Sequence, residues 1–512
     1  MRYIPSSRFT AFLLLPAMLL WPSSARPCFG GEDPQNLIDV GTRKQLLFDA
    51  LFLDESSGVT LRMNTPFQDP QPVLVADKPW EQKVCAYNTV LRDSGKFRMW
   101  YDVINLDSEG KQTSRLLCYA ESQNGVHWKK PELGLIPFRG SKSNNIVAPP
   151  SPPASQQGAT VFRDDQAPAS ERYKLWTKYE ASKQDNAKGI RTGLWAMVSP
   201  DGLRWTMVDS GYPLSRGNAA DSQNICFRDD NIGKYVGFVR MKQKGPAPRK
   251  RTCWVGLMTS DDFRNWTPAR DIFRADEQMP VPGGEPAWLP VVDFYTPGGM
   301  NVPGVRNAYI LLPTSFYHWA EDAFPSNIDV ALATSRDRVN WWRPPPGQRE
   351  PFLRLGHDGT AASGMLFANP WPIVVGNEIW IYYAGIGIDH RQSGPADSGI
   401  FRARLRLDGF VSVDAGYRGG EFTTPPIKFD GHRLELNVDG SAGGWLQVEI
   451  RSADGKPLPG FQLDQCDTIR GNSPRKTVTW QGNSEIAKLA GKPVRLRFVM
   501  RSIKLFAFQF AK

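Results

Sequence analysis

The stretch Ser199-Pro-Asp-Gly-Leu-Arg-Trp205 decides the fold, because its pattern occurs four times in the chain. Every copy places a Ser six positions before a Trp, with turn-forming Asn, Asp or Gly residues between them. The other copies are Ser122 to Trp128, Ser260 to Trp266 and Ser335 to Trp341. The intervals between the Trp residues are 77 (128 to 205), 61 (205 to 266) and 75 (266 to 341). A signature that recurs at such intervals indicates an internal structural repeat.

Each signature ends a run of short strands. In the second repeat these are an inner strand at 159–162, an aromatic strand at 173–176 and an apolar strand at 193–198. A fifth copy without the Trp has an aromatic strand at 378–383. Aromatic and β-branched runs bounded by Gly, Asp and Pro are typical of strands. Five units of four strands predict an all-β fold, a five-bladed β-propeller, in which the repeated Trp fills the space between neighbouring units.

The predicted propeller spans residues 36–418, and a different pattern follows it. From about residue 421 the strands become longer and alternate strictly, which predicts a small C-terminal antiparallel β-sandwich at 421–512. Residues 36–80 hold two strands and a Pro-rich crossing that lead into the first repeat.

Residues 1–25 have the features of a signal peptide. Arg2 and Arg8 precede an apolar stretch at 11–21, and Ser23-Ser-Ala25 is a small-residue cleavage site. The apolar stretch is too short to span a bilayer, so we expect a secreted or periplasmic protein with no membrane contact after cleavage. Cleavage lowers the formal net charge from +10 to +8. The basic residues are dispersed, which argues against a nucleic-acid partner.

Four of the six cysteines are predicted to be buried free thiols. Cys85 and Cys118, like Cys226 and Cys253, lie on the inner and third strands of one repeat. A strand separates each pair, which sets the cysteines about 9.6 Å apart, whereas a disulfide requires Cα atoms within roughly 7 Å. The sequence leaves the states of Cys28 and Cys466 open.

Loop lengths indicate which rim carries function. The connections between the second and third strands are long in every repeat, for example at 102–114 and 241–252. Long loops on a rigid scaffold usually carry binding residues, and the inner strands begin at the same rim. The pair Arg163-Asp164 follows an inner strand and recurs as Arg92-Asp93 and Arg228-Asp229, so we assign it to turns at the opposite rim.

Three acids precede the second strands of their repeats at similar distances: Glu81, Asp221 and Asp293. The spacing places them where inner strands begin, so that two or three carboxylates could face one another. Paired carboxylates perform glycosidic cleavage, one by protonating the leaving oxygen and the other by attacking or activating water. The alternative, that these acids cap strands or are paired with Arg240, His318 or each other, stays open, and for Glu81 it is preferred.

Polar and aromatic residues at the same rim are candidates for binding the hydroxyl groups and ring faces of a sugar. They are Asn88, Gln223, Asn224, Arg240, Tyr317, His318 and Trp319. A basic loop with Lys242, Lys244 and 249–251 fits an anionic glycan or, equally, a solvated charged loop. The sequence has no strong metal-site spacing, phosphate loop or nucleophile elbow, so no metal or cofactor is expected.

Residues 46–416 resemble the superfamily of five-bladed propeller hydrolases that includes arabinanases, levansucrases and invertases. The resemblance rests on strands such as 96–101, the Ser-x-Asp-Gly-x-x-Trp closures and Asp221-Ser-Gln-Asn224. A branch of exported bacterial proteins is similar around 140–146. The resemblance implies three catalytic acids at the starts of the inner strands of the first three repeats. This sequence departs from that pattern, because its second repeat has no acid there, and Glu285 in Gly283-Gly-Glu-Pro286 is a possible substitute.

We therefore predict an exported, glycoside hydrolase-like protein that acts on a polysaccharide or oligosaccharide. Asp221 and Asp293 form the predicted carboxylate pair, with Glu81 or Glu285 as the third acid. The alternative is a non-catalytic glycan-binding propeller with a degenerate triad, and a third hypothesis is a protein-interaction module. Hydrolysis requires two of the carboxylates about 5–10 Å apart in an open pocket. The sequence indicates neither the sugar and linkage nor the oligomeric state.

Overall fold

A computed structural model describes residues 37–106, 112–148, 155–181, 183–187, 189, 191–208, 215–216, 222–244, 251–275, 291–318, 325–344, 349–392 and 396–512. In these ranges the chain is nearly all β and forms many separate sheets. Among the described residues, helix is confined to Lys183–Ala187 and to short 3-10 turns at Ala50–Phe52, Ala169–Glu171, Leu463–Gln465 and Ala487–Leu489. The all-β class predicted from the sequence is confirmed.

The first three repeats each form one antiparallel sheet, with the strands in sequence order from the inner to the outer position. Repeat 1 consists of Lys83–Asp93, Lys96–Leu106, Gln112–Ser122 and Ile146–Ala148. Repeat 2 consists of Ser155–Arg163, Tyr173–Glu180, Gly193–Ser199 and Thr206–Met207, with Ser215–Arg216 also paired to its third strand. Repeat 3 consists of Ile225–Asp229, Lys234–Lys244, Arg251–Ser260 and Arg270–Phe273.

The fourth repeat has the same strand order, but its first three strands are interrupted. The segments in order are Val291–Phe294 and Gly299–Asn301, Tyr309–Leu311 and Thr314–His318, Ile328–Val330 and Ala333–Ser335, then Trp341–Trp342. Pro297 and Pro313 lie in the first two gaps. Because proline has no N–H to donate, it interrupts the ladder at these points.

The fifth repeat takes its outer strand from the N-terminal part of the chain. Its own strands are Met365–Ala368 with Ile373–Val375, Glu378–Ile386 and Ser398–Arg406. Phe67–Gln68 and Leu74–Val75 pair antiparallel with Ser398–Arg406 and complete the sheet. A segment from before the first repeat therefore fastens the last one.

The four closure turns share one set of hydrogen bonds. In the second repeat, Ser199 Oγ accepts the N–H groups of Asp201 and Gly202 at 3.2 and 2.8 Å. Asp201 Oδ1 accepts the next two N–H groups, and Asn124, Asp262 and Asp337 do the same in their repeats. The residue after this Asn or Asp has a positive φ in every turn: Gly125, Gly202, Phe263 and Arg338. The turn is thus defined by its Ser and Asx side chains, and glycine is favoured but not required.

Three of the four signature Trp residues pack against an aromatic ring of the preceding repeat. The ring centroids of Trp176 and Trp266 are 4.5 Å apart, and those of Phe238 and Trp341 are 5.9 Å apart. Trp128 of repeat 1 lies 5.8 Å from Tyr382 of repeat 5. These contacts confirm the structural role predicted for the Trp, and they join the last repeat to the first.

The recurring Arg-Asp pairs form a second connection between repeats. Asp164 accepts a hydrogen bond from the Tyr235 hydroxyl at 2.6 Å, and Asp229 accepts one from Tyr309 at 2.8 Å. Asp93 is bonded in the same way to Tyr173. Each carboxylate therefore binds the next repeat, which accounts for its recurrence in three repeats.

The C-terminal strands form two further sheets around one core. One contains Ile38–Gly41, Glu55–Ser57, Gly420–Thr423, Ile427–Phe429, Trp445–Ser452, Ile469–Arg470 and Val494–Arg501. The other contains Gln45–Leu46, Val59–Met63, Val411–Ala415, Arg433–Asp439, Asn472–Thr477 and Ile503–Ala511. Apolar residues from both sheets pack together.

Strands at 38–63 belong to these C-terminal sheets and do not lead directly into the first repeat. Val59–Met63 pairs along Val411–Ala415, which the sequence analysis assigned to the end of the propeller. The chain thus passes through the C-terminal sheets before it enters the repeats. The buried cysteines 118, 226 and 466 are free thiols, and Cys253 is buried as well, while Cys28 and the Cys85 side chain lie outside the described atoms.

Candidate functional site

The inner strands of several repeats begin near one group of polar and aromatic residues, which we call the central cluster. It comprises Tyr87, Asn88, Asp102, Gly158, Ser222, Gln223, Arg240, Asp293, Tyr295, His318 and His390. Tyr87 is joined to Tyr295 through the Phe367 ring, whose centroid lies 5.6 and 6.4 Å from theirs. The contacts described below connect the other members across all five repeats. Of the eleven residues predicted for the site, five belong to this cluster: Asn88, Gln223, Arg240, Asp293 and His318.

Gln223 joins the inner strands of three repeats. Its Nε2 donates to the carbonyl oxygens of Asn88 at 3.1 Å and Ala159 at 3.0 Å. The next residue, Asn224, accepts the N–H of Arg240 at 2.8 Å and donates to Ser222 O at 3.1 Å. Both side chains are buried, and these bonds use them to position the main chain. Their predicted contact with a sugar stays a prediction.

The backbone is strained directly after Asp221. Ser222 has a φ of +103°, which is uncommon for a residue with a side chain. It is fully buried, and its Oγ donates to Tyr295 O at 3.2 Å. Residues held in sparsely populated conformations tend to occur at functional sites. The strain at Ser222 marks this strand start as a candidate site.

Asp293 and His318 form a partly buried pair on neighbouring strands of repeat 4. His318 Nε2 lies 2.9 Å from Asp293 Oδ2, and the Asp293 side chain is 1% exposed. The His318 ring packs on Phe316 with centroids 4.2 Å apart. An imidazole held by a buried carboxylate has a fixed orientation and can take up or deliver a proton. The structure thus brings together two predicted site residues, and it pairs Asp293 with one of the partners expected if this acid had a structural role.

Tyr295 connects this pair to Arg240. The Arg240 guanidinium lies over the Tyr295 ring at 4.7 Å, and the Tyr295 hydroxyl is 3.3 Å from His390 Nε2. Phe316 packs against both Tyr295 and His390. A buried cation on an aromatic ring and two imidazoles give this side of the cluster donors for anionic or hydroxyl groups.

Glu81 lies in a different environment. Its carboxylate forms an ion pair with Lys130 Nζ at 2.5 Å and accepts the Asp77 N–H at 3.2 Å and the Tyr101 hydroxyl. The Glu81 side chain has no exposed surface. None of its partners within the described residues belongs to the central cluster. These contacts hold the crossing segment to repeat 1, a structural role of the kind preferred for Glu81, but with Lys130 in place of the partners named for it.

Tyr317 points away from the Asp293–His318 pair, because side chains alternate along a strand. Its hydroxyl donates to Asp329 Oδ2 at 3.0 Å. Burial raises the pKa of Asp329 to about 6. Asp221, Glu285 and Trp319 lie outside the described residues, so their predicted roles stay predictions.

Two members of the cluster have polar atoms without hydrogen-bond partners within the described residues. These atoms are Oδ1 and Nδ2 of Asn88 and Oδ1 of Asp102. Asp102 Oδ2 accepts the N–H of Gly158 at 2.6 Å, and burial raises the Asp102 pKa to about 7. Asp102 was not among the predicted site residues, because it lies inside a second strand and not at the start of an inner strand. The sequence feature that could have identified Asp102 is the presence of an ionisable residue within the apolar run Trp100-Tyr101-Asp102-Val103.

A recess lies between the fifth repeat and the C-terminal sheets, and none of its lining residues belongs to the central cluster. Lys44, Asp408, Glu435 and Arg475 line it. The Lys44–Asp408 ion pair at 3.0 Å satisfies its most buried charge. Within the described ranges no cluster of three or more His, Cys, Asp or Glu side chains could hold a metal ion. Nor does any described helix have the length and apolarity needed to span a membrane.

No family model matches the chain. Two uncharacterised proteins from strains of Mycobacterium tuberculosis are 28% identical to it over 133 residues. That segment is 25% of this chain, and the match spans 37% of the length of these relatives.

Similar solved structures include a glycoside hydrolase with 16% identity and a TM-score of 0.43, covering 66% of this chain and 92% of the other. An N-acetylgalactosamine deacetylase from F. plautii, in complex with blood group B trisaccharide, has 14% identity and a TM-score of 0.43, covering 68% and 96%. A β-1,2-mannobiose phosphorylase from Listeria innocua has 14% identity and a TM-score of 0.41, covering 67% and 97%.

Proposed function

We propose that the five repeats form a five-bladed β-propeller fastened by the segment at 67–75, and that the two C-terminal sheets form a β-sandwich. The aromatic contacts between repeat 5 and repeat 1 support a closed ring. We keep the boundaries 36–418 and 421–512 as the proposed domains, with the strands at 38–63 contributed to the second. Residues 1–25 act as a signal peptide in this proposal, and the mature protein is secreted or periplasmic.

The function we propose is cleavage of glycosidic bonds in a polysaccharide or oligosaccharide by acid/base chemistry. The observation that carries it is the Asp293–His318 pair at the start of an inner strand, within a cluster that also holds Arg240 and a second buried carboxyl. Asp293 and Asp221 are the proposed carboxylate pair. In such a reaction one carboxyl protonates the leaving oxygen, and the other attacks the anomeric carbon or activates water.

A second candidate function is glycan binding without catalysis. The ion pair of Glu81 with Lys130 and the hydrogen bond of Asp293 with His318 favour it, because a binding module was expected to have its acids engaged. The buried Arg240 on Tyr295 is consistent with either function, since planar guanidinium groups and aromatic rings both recognise sugars and their acidic substituents.

Incubation of the purified protein with a panel of neutral and uronic acid-containing polysaccharides, followed by measurement of reducing ends, separates the two functions. The variants Asp221→Asn and Asp293→Asn test the carboxylate pair. Asp164→Asn is the matched control, because it makes the same change to a buried carboxylate at the opposite rim.

Hydrolysis by the wild type and by Asp164→Asn, with a loss of at least about 100-fold in both other variants, supports the enzymatic proposal. Binding of a panel glycan without release of reducing ends favours the second candidate. Release that is unchanged in Asp221→Asn or Asp293→Asn removes that residue from the proposed pair.

A further inference from the structure

Asp102 is a buried carboxyl that the reaction proposed above does not use. It lies in the second strand of repeat 1, Lys96–Leu106, and is 1% exposed. One oxygen accepts the Gly158 N–H at 2.6 Å, while the other has no hydrogen-bond partner among the described residues. Buried polar atoms are nearly always satisfied, and those that are not often have a functional role.

Gly158, which Asp102 contacts, cannot be replaced by a residue with a side chain. Its φ is +70°, and a Cβ there would lie 2.6 Å from Ser222 O and 2.7 Å from Gln223 N. The inner strand of repeat 2 therefore has no room to present an acid at this point. Asp102 of repeat 1 instead brings a carboxyl to this junction of repeats 2 and 3.

Ionisation of Asp102 can affect the rest of the central cluster through its hydrogen bond with Gly158. Gly158 packs on the main chain of Ser222 and Gln223. The side chains of these two residues bind the carbonyl groups of Tyr295, Asn88 and Ala159. A charged acceptor forms a stronger hydrogen bond than a neutral one. Ionisation of Asp102 thus tightens a contact on which the starts of three inner strands depend.

The groups that face Asp102 leave its charge only partly compensated. The third strand of repeat 1 contributes Arg115, whose charge lowers the Asp102 pKa, and the Cys118 thiol. The inner strand of repeat 2 contributes the N–H groups of Gly158 and Ala159. Burial outweighs these effects and raises the Asp102 pKa to about 7. The carboxyl therefore exchanges its proton in the neutral range.

We propose that Asp102 is a positioning residue and the third carboxyl of the central cluster, and that its ionised form holds the inner strand starts in the arrangement that receives a glycan. This inference rests on the proposed function. Glycan binding and turnover then increase as the pH rises through neutrality. No bond to the substrate is made or broken by Asp102 itself.

The test compares the wild type, Asp102→Asn and the control Asp164→Asn between about pH 5 and pH 9, a range that brackets the titration. Asn keeps an acceptor for Gly158 but cannot ionise. Hydrogen exchange of the peptide that contains Gly158 reports the positioning without any glycan. Affinity and kcat/KM for a glycan from the panel report its effect on function.

We expect the Gly158 amide of the wild type, measured relative to other amides of the same inner strand, to become more protected than that of Asp102→Asn as the pH rises, while Asp164→Asn follows the wild type. At about pH 8, Asp102→Asn should lose roughly 10- to 100-fold in kcat/KM, the scale of loss from a small misplacement of catalytic groups. Equal protection in wild type and Asp102→Asn at every pH overturns the inference. Differential protection with no glycan bound by any protein refutes the proposed function and the glycan role of Asp102, while its positioning of Gly158 stands.

Discussion

Replacing Asp102 with Asn should change how the stability of the protein depends on pH. The Asp102 pKa is raised from 3.8 to about 7, because its charged form is buried. The folded state therefore binds a proton more tightly than the unfolded state, and this stabilisation is fully present below about pH 4 and lost as the pH rises through about 7. A difference of about three pKa units corresponds to about 4 kcal/mol at 1.36 kcal/mol per unit.

Asn is neutral at every pH and keeps the hydrogen bond to Gly158. The free energy of unfolding of Asp102→Asn, minus that of the wild type, should therefore increase by about 4 kcal/mol between pH 4 and pH 8. Urea unfolding followed by tryptophan fluorescence, at several pH values in this interval, measures this difference. Asp164→Asn serves as the control for the general effect of removing a buried carboxylate. Parallel stability curves for the wild type and Asp102→Asn would refute the reasoning.

Three further changes test the packing of the repeats, each by equilibrium unfolding. Gly202→Ala places a Cβ 2.8 Å from the indole of Trp100, whereas Gly134→Ala has the same backbone strain with open space around it. We expect Gly202→Ala to be more destabilising than Gly134→Ala by about 1–3 kcal/mol. Equal losses would contradict the close packing of Trp100 on this turn. Tyr235→Phe removes the donor to a buried carboxylate, which should cost about 1.5–3 kcal/mol; no loss would show that this connection between repeats is dispensable. Lys130→Met leaves Glu81 buried without its ion pair and should cost about 3–5 kcal/mol of unfolding free energy. The double variant with Glu81→Gln should lose less, because it leaves no unpaired charge. A larger loss in the double variant would contradict a compensating ion pair.

The repeat architecture was predictable because it depends on local sequence. The Ser and Asx side chains that define each closure turn act within four residues, so the pattern is visible in the chain itself. The recurring Arg-Asp pairs could be assigned to the opposite rim for the same reason. Their bonds to the Tyr of the next repeat needed the structure, because Asp164 and Tyr235 are distant in sequence.

The partners of the strands at 38–63 could not be predicted from local sequence. Val59–Met63 pairs with Val411–Ala415, and the latch at 67–75 pairs with repeat 5. Strand pairing over more than 300 positions leaves no local pattern, because alternation specifies which face is buried and not which strand lies alongside.

The candidate site was predicted in part for a related reason. Counting from the second strand located Asp293 at an inner strand start, where the structure pairs it with His318. The same count selected Glu81, which an ion pair with Lys130 of repeat 1 holds at the end of the crossing segment. Asp102 was not predicted because its contact is with Gly158 of another repeat, and no residue spacing within repeat 1 indicates that contact.

The location of a bound glycan tests the central claim most directly. A crystal structure of Asp293→Asn, soaked with an oligosaccharide that the wild type binds or cleaves, measures it. We predict density for the sugar at the central cluster, within hydrogen-bond distance of residue 293 or Arg240. Sugar bound only elsewhere, such as in the recess beside Lys44 and Asp408, would contradict the assignment of this cluster as the glycan site.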